Sequence, residues 1–513
     1  MAEPDYAPEF VRRIIAQEAP GGTATQVSLV IPSVTIPGEA FRIRIAILDR
    51  ASRAAHCDRG GVLVIDCPGS DIPATTVTVD VGPFLCSLDG MTLPADGFFR
   101  FRAVYNGTVD WSNPTLCGPP TSRRLSWGDP HLHTNLGRCH LECTRSLNFC
   151  YSNARHVGGL DWIAITDHVS NGRCDRAKWQ EQRTVCELYN DPPSFATIPA
   201  YEASFTSRAG GDINVYLNKP LPEYIDEYES GTARTLADRL DTQAAQYGND
   251  FFMVPHHTTR ADKYGELADD IWPGAQRMPL IELASKWGAS EYRGNPGALL
   301  TVHDGPCHTT DLLERGLQLG FVGGTDSHAS ATFESGSEPA QLHATPGITA
   351  VWTESNDRNA LFNSLRRRDC YAASMERIYL EVDICGLRSG SAADWPAAGA
   401  PSAASPLAAS PSAASPAAES LVADWPAAGN ERIIRVRTAA PGLIRKIELV
   451  RNGQLLATQH IDSWHGATTF IDRDAARDVC LQTTHMGDIL YYYVRVQCDS
   501  GARAWSSPIW LHI

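Results

Sequence analysis

No stretch of about 18 apolar residues occurs in the chain, the length an ordinary transmembrane helix needs, so no membrane partner is expected. Positive charge is also in deficit: 44 Lys and Arg stand against 59 Asp and Glu, a formal charge of −15. Such a surface repels phosphate backbones. Nucleic acid is therefore not expected as a partner, and any anionic substrate must be held by local cations or by metal. The N-terminus, MAEPDYAPEFVRRIIAQEAP, places acidic residues first and has no apolar core, so no secretory leader is read and a cytoplasmic location is expected. Without export, the 14 cysteines are expected to be mostly reduced. A Ser-His-Asp elbow, a GxGxxG fingerprint and a Walker loop are missing too, which removes the commonest rival chemistries.

What is present is the composition of a folded chain, 43% hydrophobic and 20% charged, with 513 residues to divide among several domains. Residues 1–25 read as an N-terminal extension. Over 26–120, short runs such as AFRIRIAIL, GVLVIDC and FFRFRAVY are separated by Gly, Pro and Asp, the pattern of a β-sandwich-like domain. Over 121–376, near-continuous apolar runs (LDWIAITDH, FFMVPHH, PLIELAS, GFVGGTDSH) alternate with helical segments such as ARTLADRLDTQAAQYG and DRNALFNSLRRRD, with Asp357 placed to cap the second. This is α/β alternation, a barrel or open parallel sheet with function at the C-terminal strand ends. Residues 377–392 and 430–513 are β-rich again, with RNGQ as a hairpin turn. Between them, 393–429 is a low-complexity Ala/Pro/Ser insert. ADWPAAG occurs at 393–399 and 423–429, with PSAASP at 401–406 and 411–416, so the insert reads as a tandem duplication unable to bury a core.

The chemistry gathers at strand ends. GDPHLHT places His131 and His133 one residue apart, which on a strand turns both imidazoles to one face. Later runs end in Asp167 and His168 (ITDH), Glu202 (PAYEAS), His256 and His257 (VPHHTT), and Asp326 and His328 (GGTDSH). In an α/β barrel such positions converge on one mouth, and imidazoles with a few carboxylates suit Zn, Mn or Fe. Of His256 and His257, strand alternation lets one face the site. A Cys139–His140–Cys143 zinc site matches no common finger, so the cysteines of this region read as small buried thiols. His303, His308 and His343 read as ordinary surface or packing histidines. Asp129 reads as a turn carboxylate or one that orients a ligand histidine, and Asp167 as doing the same for its neighbourhood.

The order HxH, TDH, strand-end Glu, PHH, GTDSH resembles the PHP (polymerase and histidinol phosphatase) superfamily of metal-dependent hydrolases. More narrowly, WGDPHLHT, GLDWIAITDH, VPHHT, GGTDSH, RRRDCYAAS and YYYVRVQCDSGARAWSSPIW are similar to a large bacterial PHP-like family of unknown function that includes both flanking β regions. The resemblance implies a PHP-like distorted β/α barrel with N-terminal and C-terminal β-rich regions. It implies His131, His133, His168, Glu202, His256, His257, Asp326 and His328 as metal ligands, with His256 favoured of its pair and Glu202 bridging. Asp326, His328, Glu202 and Asp167 are the candidates for catalysis. The chain departs from the family at two histidines: the one shortly after HxH, for which His140 is the candidate at a different spacing, and one at IELASKWGASE, which offers Glu282, Lys286 and Trp287 instead. Two divalent transition-metal ions (Mn, Zn or Fe) are expected, with a third site incomplete.

Such ions generate a metal-bound hydroxide and neutralise an attacked ester. The expectation is a phosphoesterase acting on a small organic phosphate, with Arg138, Arg208, Arg260 and Lys286 as substrate-binding cations. A carboxylic ester, amide or sulfate ester at the same site stays open, and the rival from another class is a non-catalytic metal-containing binding protein.

Overall fold

The computed structural model describes residues 2–3, 8–205, 210–227, 231–260, 271–297, 305, 307–334, 346–374, 376–395 and 431–513. In the N-terminal part, two four-stranded sheets enclose a common core. Phe41–Leu48 and Leu85–Met91 belong to one, and Gly61–Asp66 and Arg102–Tyr105 to the other; Ile43, Ile45, Ile47, Leu63, Ile65 and Ala103 lie between them. The helix Glu9–Glu18 lays Val11 and Ile15 onto Ala46, Leu48 and Leu85. Its last residue, Glu18, accepts hydrogen bonds from the backbone and hydroxyl of Ser146 at 2.7 and 2.6 Å, tying this region to the next.

The apolar runs of the central region do form strands buried on both faces. Every residue of Trp162–Ile165, Ala196–Ser204, Phe251–His256 and Leu280–Ser285 is buried. Local capping places the helices between them. Asp175 accepts from Lys178 N at the start of Arg176–Tyr189, Thr232 and Thr235 form a capping box before Ala233–Tyr247, and Asp357 caps Arg358–Arg366.

The ladders do not confirm the barrel expected from the resemblance. Arg124–Asp129, Trp162–Ile165 and Ala196–Ser204 are parallel neighbours, but Asp212–Leu217 then returns antiparallel and pairs antiparallel with Phe251–His256. Leu280–Ser285 and Gly320–Gly323 pair in a separate three-stranded sheet. Where Gly320–Gly323 meets Gly347–Thr353, a side chain stands in for the ladder. The Thr349 hydroxyl accepts from Gly323 N–H at 3.1 Å and donates to Gly323 C=O at 2.7 Å, so the two backbones do not pair there. On its other edge the main sheet passes through Gly347–Thr353, Cys370–Ser374 and Arg503–Ser506 into the C-terminal strands, making one 16-stranded sheet. The fold is mixed and strand-rich, and this large sheet dominates it.

The C-terminal part is built on the long hairpin Arg432–Arg451 and Gln454–Asp472, closed at Asn452 and Gly453 with φ of 49° and 74°. Those positive angles suit the tight turn that twisted antiparallel strands need. One hydrophobic core joins both parts: Trp127, Phe149 and Ile163 share it with Ile434, Val436, Leu490 and Leu511. No helix among the described residues is long and apolar enough to cross a membrane.

The insert begins later than its repeat suggests. Ala392–Asp394 pairs parallel with Ile509–His512, Trp395 N–H donates to His512 C=O at 2.7 Å, and the Trp395 ring is buried 5.5 Å from the Arg432 guanidinium. Residues 393–395 thus belong to the sheet because an aromatic ring finds a cavity and a cation. Residues 396–429 lie outside the described residues. Trp395→Ala should therefore cost about 3 kcal/mol, the usual range for emptying a buried aromatic site. Thermal unfolding checks this, and an unchanged melting curve would return Trp395 to the insert.

Candidate metal centre

The HLH segment continues beyond the Arg124–Asp129 strand as an extended stretch pinned on both sides. His133 N–H donates to Ser327 C=O at 3.1 Å, Thr166 N–H to Leu132 C=O at 2.9 Å and Asp326 N–H to His131 C=O at 2.8 Å. Leu132 points into the main core while both imidazoles turn the other way and are fully buried. Asp129 fixes the base of this stretch. It accepts from His131 N–H at 3.1 Å, Thr325 N–H at 3.0 Å and Thr325 Oγ1 at 2.6 Å, and burial pushes its carboxyl up to about 6. It orients the backbone of His131 and not the imidazole. Asp167 plays the equivalent part at the far end: both its oxygens engage Thr134, through the backbone N–H and the hydroxyl, so this catalytic candidate positions the loop instead of facing the cluster.

Around Glu202 the predicted strand-end residues converge. Its Oε1 lies 2.6 Å from His256 Nε2, and its Oε2 lies 3.3 Å from His133 Nε2, 3.3 Å from His168 Nε2 and 3.5 Å from His131 Nε2. Asp326 is the second centre. Its Oδ1 is 3.1 Å from His133 Nε2 and 3.5 Å from His131 Nε2, and its Oδ2 is 3.1 Å from His257 Nε2. Gly324 makes this approach feasible, since a Cβ there would stand 2.5 Å from both Glu282 Oε2 and His131 Cβ.

Both members of the 256–257 pair face the site, contrary to strand alternation. His257 has left the strand with φ of 54°, so its ring turns to Asp326 while His256 turns to Glu202, the ring centroids 4.0 Å apart. Asp326 is likewise left-handed, at φ 50°. Non-glycine residues hold such angles only when their surroundings over-determine them, and they concentrate at functional sites.

Charge follows from this packing. Burial pushes the Glu202 carboxyl up, but His168 and His256 beside it outweigh that and hold it well below the usual range. Burial opposes ionisation of Asp326 too, and His131 and Lys286 overcome it. Burial lowers His168 to about 4 and His257 to about 3, so both rings are neutral at pH 7 and offer a lone pair. Burial lowers His131, but Glu282, 2.8 Å from its Nδ1, together with Asp326 and Glu202 outweighs that and holds it well above the usual range, so an ion would take the place of its Nε2 proton.

The donor set fits a divalent transition metal. Glu202 Oε2 is buried without a hydrogen-bond partner although the Nε2 atoms of His131, His133 and His168 lie 3.3–3.5 Å from it. Buried polar atoms are seldom left so. The Nε2 atoms of His131 and His133 face each other at 3.2 Å, where two N–H groups would clash and an ion would satisfy both. Groups of donors within 4.8 Å of one another include His131–His133–Asp326, His256–His257–Asp326 and His131–His256–Glu282.

Two residues at the family's departure point turn out to be built into the site. Glu282 holds His131, and Trp287 Nε1 donates to Asp326 Oδ2 at 2.5 Å. Their signal in the sequence was position alone, at and just beyond the end of an apolar run. Lys286, expected at the mouth, is instead buried against His328 Nδ1, drawn in by the Asp326 charge. Of the other cations, Arg138 is exposed just beyond the HLH segment and Arg260 is half-buried with its N–H on His257 C=O at 2.9 Å. Arg208, His303 and His343 lie outside the described residues. His308 is buried at the start of the Thr309–Glu314 helix.

The sequence profile of the family described as "Protein of unknown function (DUF3604)" matches residues 334–386. Two curated relatives, both described as uncharacterized proteins, come from Chlamydia trachomatis and Chlamydia muridarum. The first is 26% identical over 81% of this chain and 62% of its own length; the second is 28% identical over 81% and 62%. The chain thus spans about three fifths of the curated relatives it matches. Among solved structures, a two-domain protein from Bacteroides vulgatus containing a predicted PHP-like metal-dependent phosphoesterase aligns over 73% of this chain and 92% of its own, at 13% identity and a TM-score of 0.36. A Bacteroides uniformis β-glucuronidase aligns over 94% and 60%, at 7% identity and a TM-score of 0.22.

Proposed function

We propose that this chain is a metal-dependent hydrolase that cuts an ester of a small organic phosphate. The observation carrying this reading is the convergence of His131, His133, His168, His256 and His257 on Glu202 and Asp326, with buried donor atoms left unpaired. Structural metal sites are closed four-ligand sets, and a larger set around two carboxylates suits a multinuclear, open centre. Ions bound there would acidify water and neutralise charge on the attacked group. The chain's own contribution is geometric and electrostatic. Glu282 and Trp287 fix the cluster from behind, Lys286 supplies a buried positive charge, and Arg138 supplies one at the surface. Both cations favour a phosphate over a neutral ester.

A screen of manganese- and zinc-loaded protein against phosphomonoesters, phosphodiesters, carboxylic esters and sulfate esters tests the assignment. Activity on a carboxylic or sulfate ester alone would keep the hydrolase and overturn the phosphate. Stoichiometric metal without turnover of any of them would favour a binding protein. On the best phosphate substrate, Arg138→Ala should raise KM roughly fivefold with kcat little changed, the loss of about 1 kcal/mol of charge-assisted binding. Steady-state kinetics reads the split.

A further inference from the structure

Beside the cluster around Glu202 and Asp326 lies a second group of donors of different chemistry. The thiols of Cys139 and Cys143 stand 3.4 Å apart, far beyond the roughly 2.05 Å of a disulfide. Both sulfurs and a ring nitrogen of His328 lie within 4.8 Å of one another. His328 is 4% exposed, and its two nitrogens differ: Nδ1 lies 3.0 Å from the Asp326 carbonyl, to which an N–H there donates, with the Lys286 side chain alongside, whereas Nε2 is buried with no hydrogen-bond partner. The short turn that brings the thiols together is closed by Cys143 N–H donating to His140 C=O at 3.2 Å. The exposed His140 ring rests edge-on against His328, 4.2 Å between centroids.

We propose that Cys139, Cys143 and His328 form a thiolate-rich zinc site, separate in chemistry from the carboxylate and imidazole cluster. Thiolate donors select zinc over manganese or magnesium, so one chain would hold metals of two kinds side by side. Three protein donors leave a fourth position open beside His140. Binding displaces the two thiol protons to solvent, and no oxidant or reductant is involved. The imidazole that completes the set comes from residue 328, far along the chain, which explains why the spacing of Cys139, His140 and Cys143 resembles no finger. His328 passes by this assignment from the cluster to the thiols. The site does not rest on the hydrolase reading and would stand if no ester were cut.

Cobalt(II) is the probe, because thiolate ligation gives a sulfur-to-cobalt charge-transfer absorption that imidazole and carboxylate ligation do not. Reduced, chelator-stripped protein titrated anaerobically should show this band, with an amplitude at saturation of one thiolate-bound cobalt per chain while further cobalt fills the other cluster without adding to it. Cys139→Ser and Cys143→Ser should abolish it, His328→Ala should weaken cobalt binding roughly tenfold or more, and His256→Ala, which touches only the other cluster, should retain it. X-ray absorption of zinc in the unaltered protein should show sulfur neighbours, a readout that needs no variant to fold. A wild-type chain whose zinc has no sulfur neighbours, or whose cobalt band survives Cys143→Ser in a variant with an unchanged circular dichroism spectrum, would overturn the site.

Discussion

Glu202→Gln should reduce turnover roughly a thousandfold or more while leaving the chain folded. Four imidazoles lie within 3.5 Å of this one carboxylate, His256 on Oε1 and His131, His133 and His168 on Oε2. The amide keeps the shape but removes the negative charge that would hold the ions at the centre of the metal-holding set. A roughly thousandfold loss of turnover corresponds to about 4 kcal/mol of transition-state stabilisation. Asp326→Ala and His131→Ala should fall in the same class. Asp167→Asn should cost far less, because Asp167 acts through Thr134 and not on the cluster. Kinetics on the best substrate, with metal content by elemental analysis, decides. A Glu202→Gln enzyme within tenfold of wild type would remove Glu202 from the machinery.

How far this site was legible depends on which physics set each residue. Strand-end polar residues following apolar runs were readable because a buried strand must end where its side chains turn polar, and His131, His133, His168, Glu202, His256 and Asp326 all converge. His257 was half-read: alternation holds on a strand, but its φ of 54° is a tertiary constraint that no local pattern encodes. Glu282 and Trp287 could be located but not given roles, since their partners His131 and Asp326 are distant in sequence. Lys286 is read as a cation near the mouth, and composition cannot show that it is buried beside His328 with the Asp326 charge near it. At the level of fold, apolar runs announced strands but not their directions. The antiparallel return of Asp212–Leu217 and the Thr349 hydroxyl on Gly323 set the ladder pattern, and neither leaves a periodicity to read.

Stripping the metal should lower the melting temperature by roughly 10 °C. Without ions, Glu202 is a buried charge compensated by crowded imidazoles, Asp326 one compensated by imidazoles, Lys286 and the Trp287 N–H, and several donor atoms stay unpaired. An ion bound to the folded state alone, at about a thousandfold above its Kd, stabilises by about 4 kcal/mol. In a region the size of the central one each kcal/mol moves the midpoint by about 2–4 °C. The loss should fall on that region and on the C-terminal strands that share its core, while the N-terminal sheets, packed around Ile43 and Leu63, melt unchanged. Calorimetry of as-purified, chelator-treated and manganese- or zinc-restored protein reads the shift. Repeating it in Cys143→Ser isolates the cluster's contribution from that of the thiol site. Superimposable curves in that variant, with stoichiometric metal present before chelation, would place the ions outside the buried cluster.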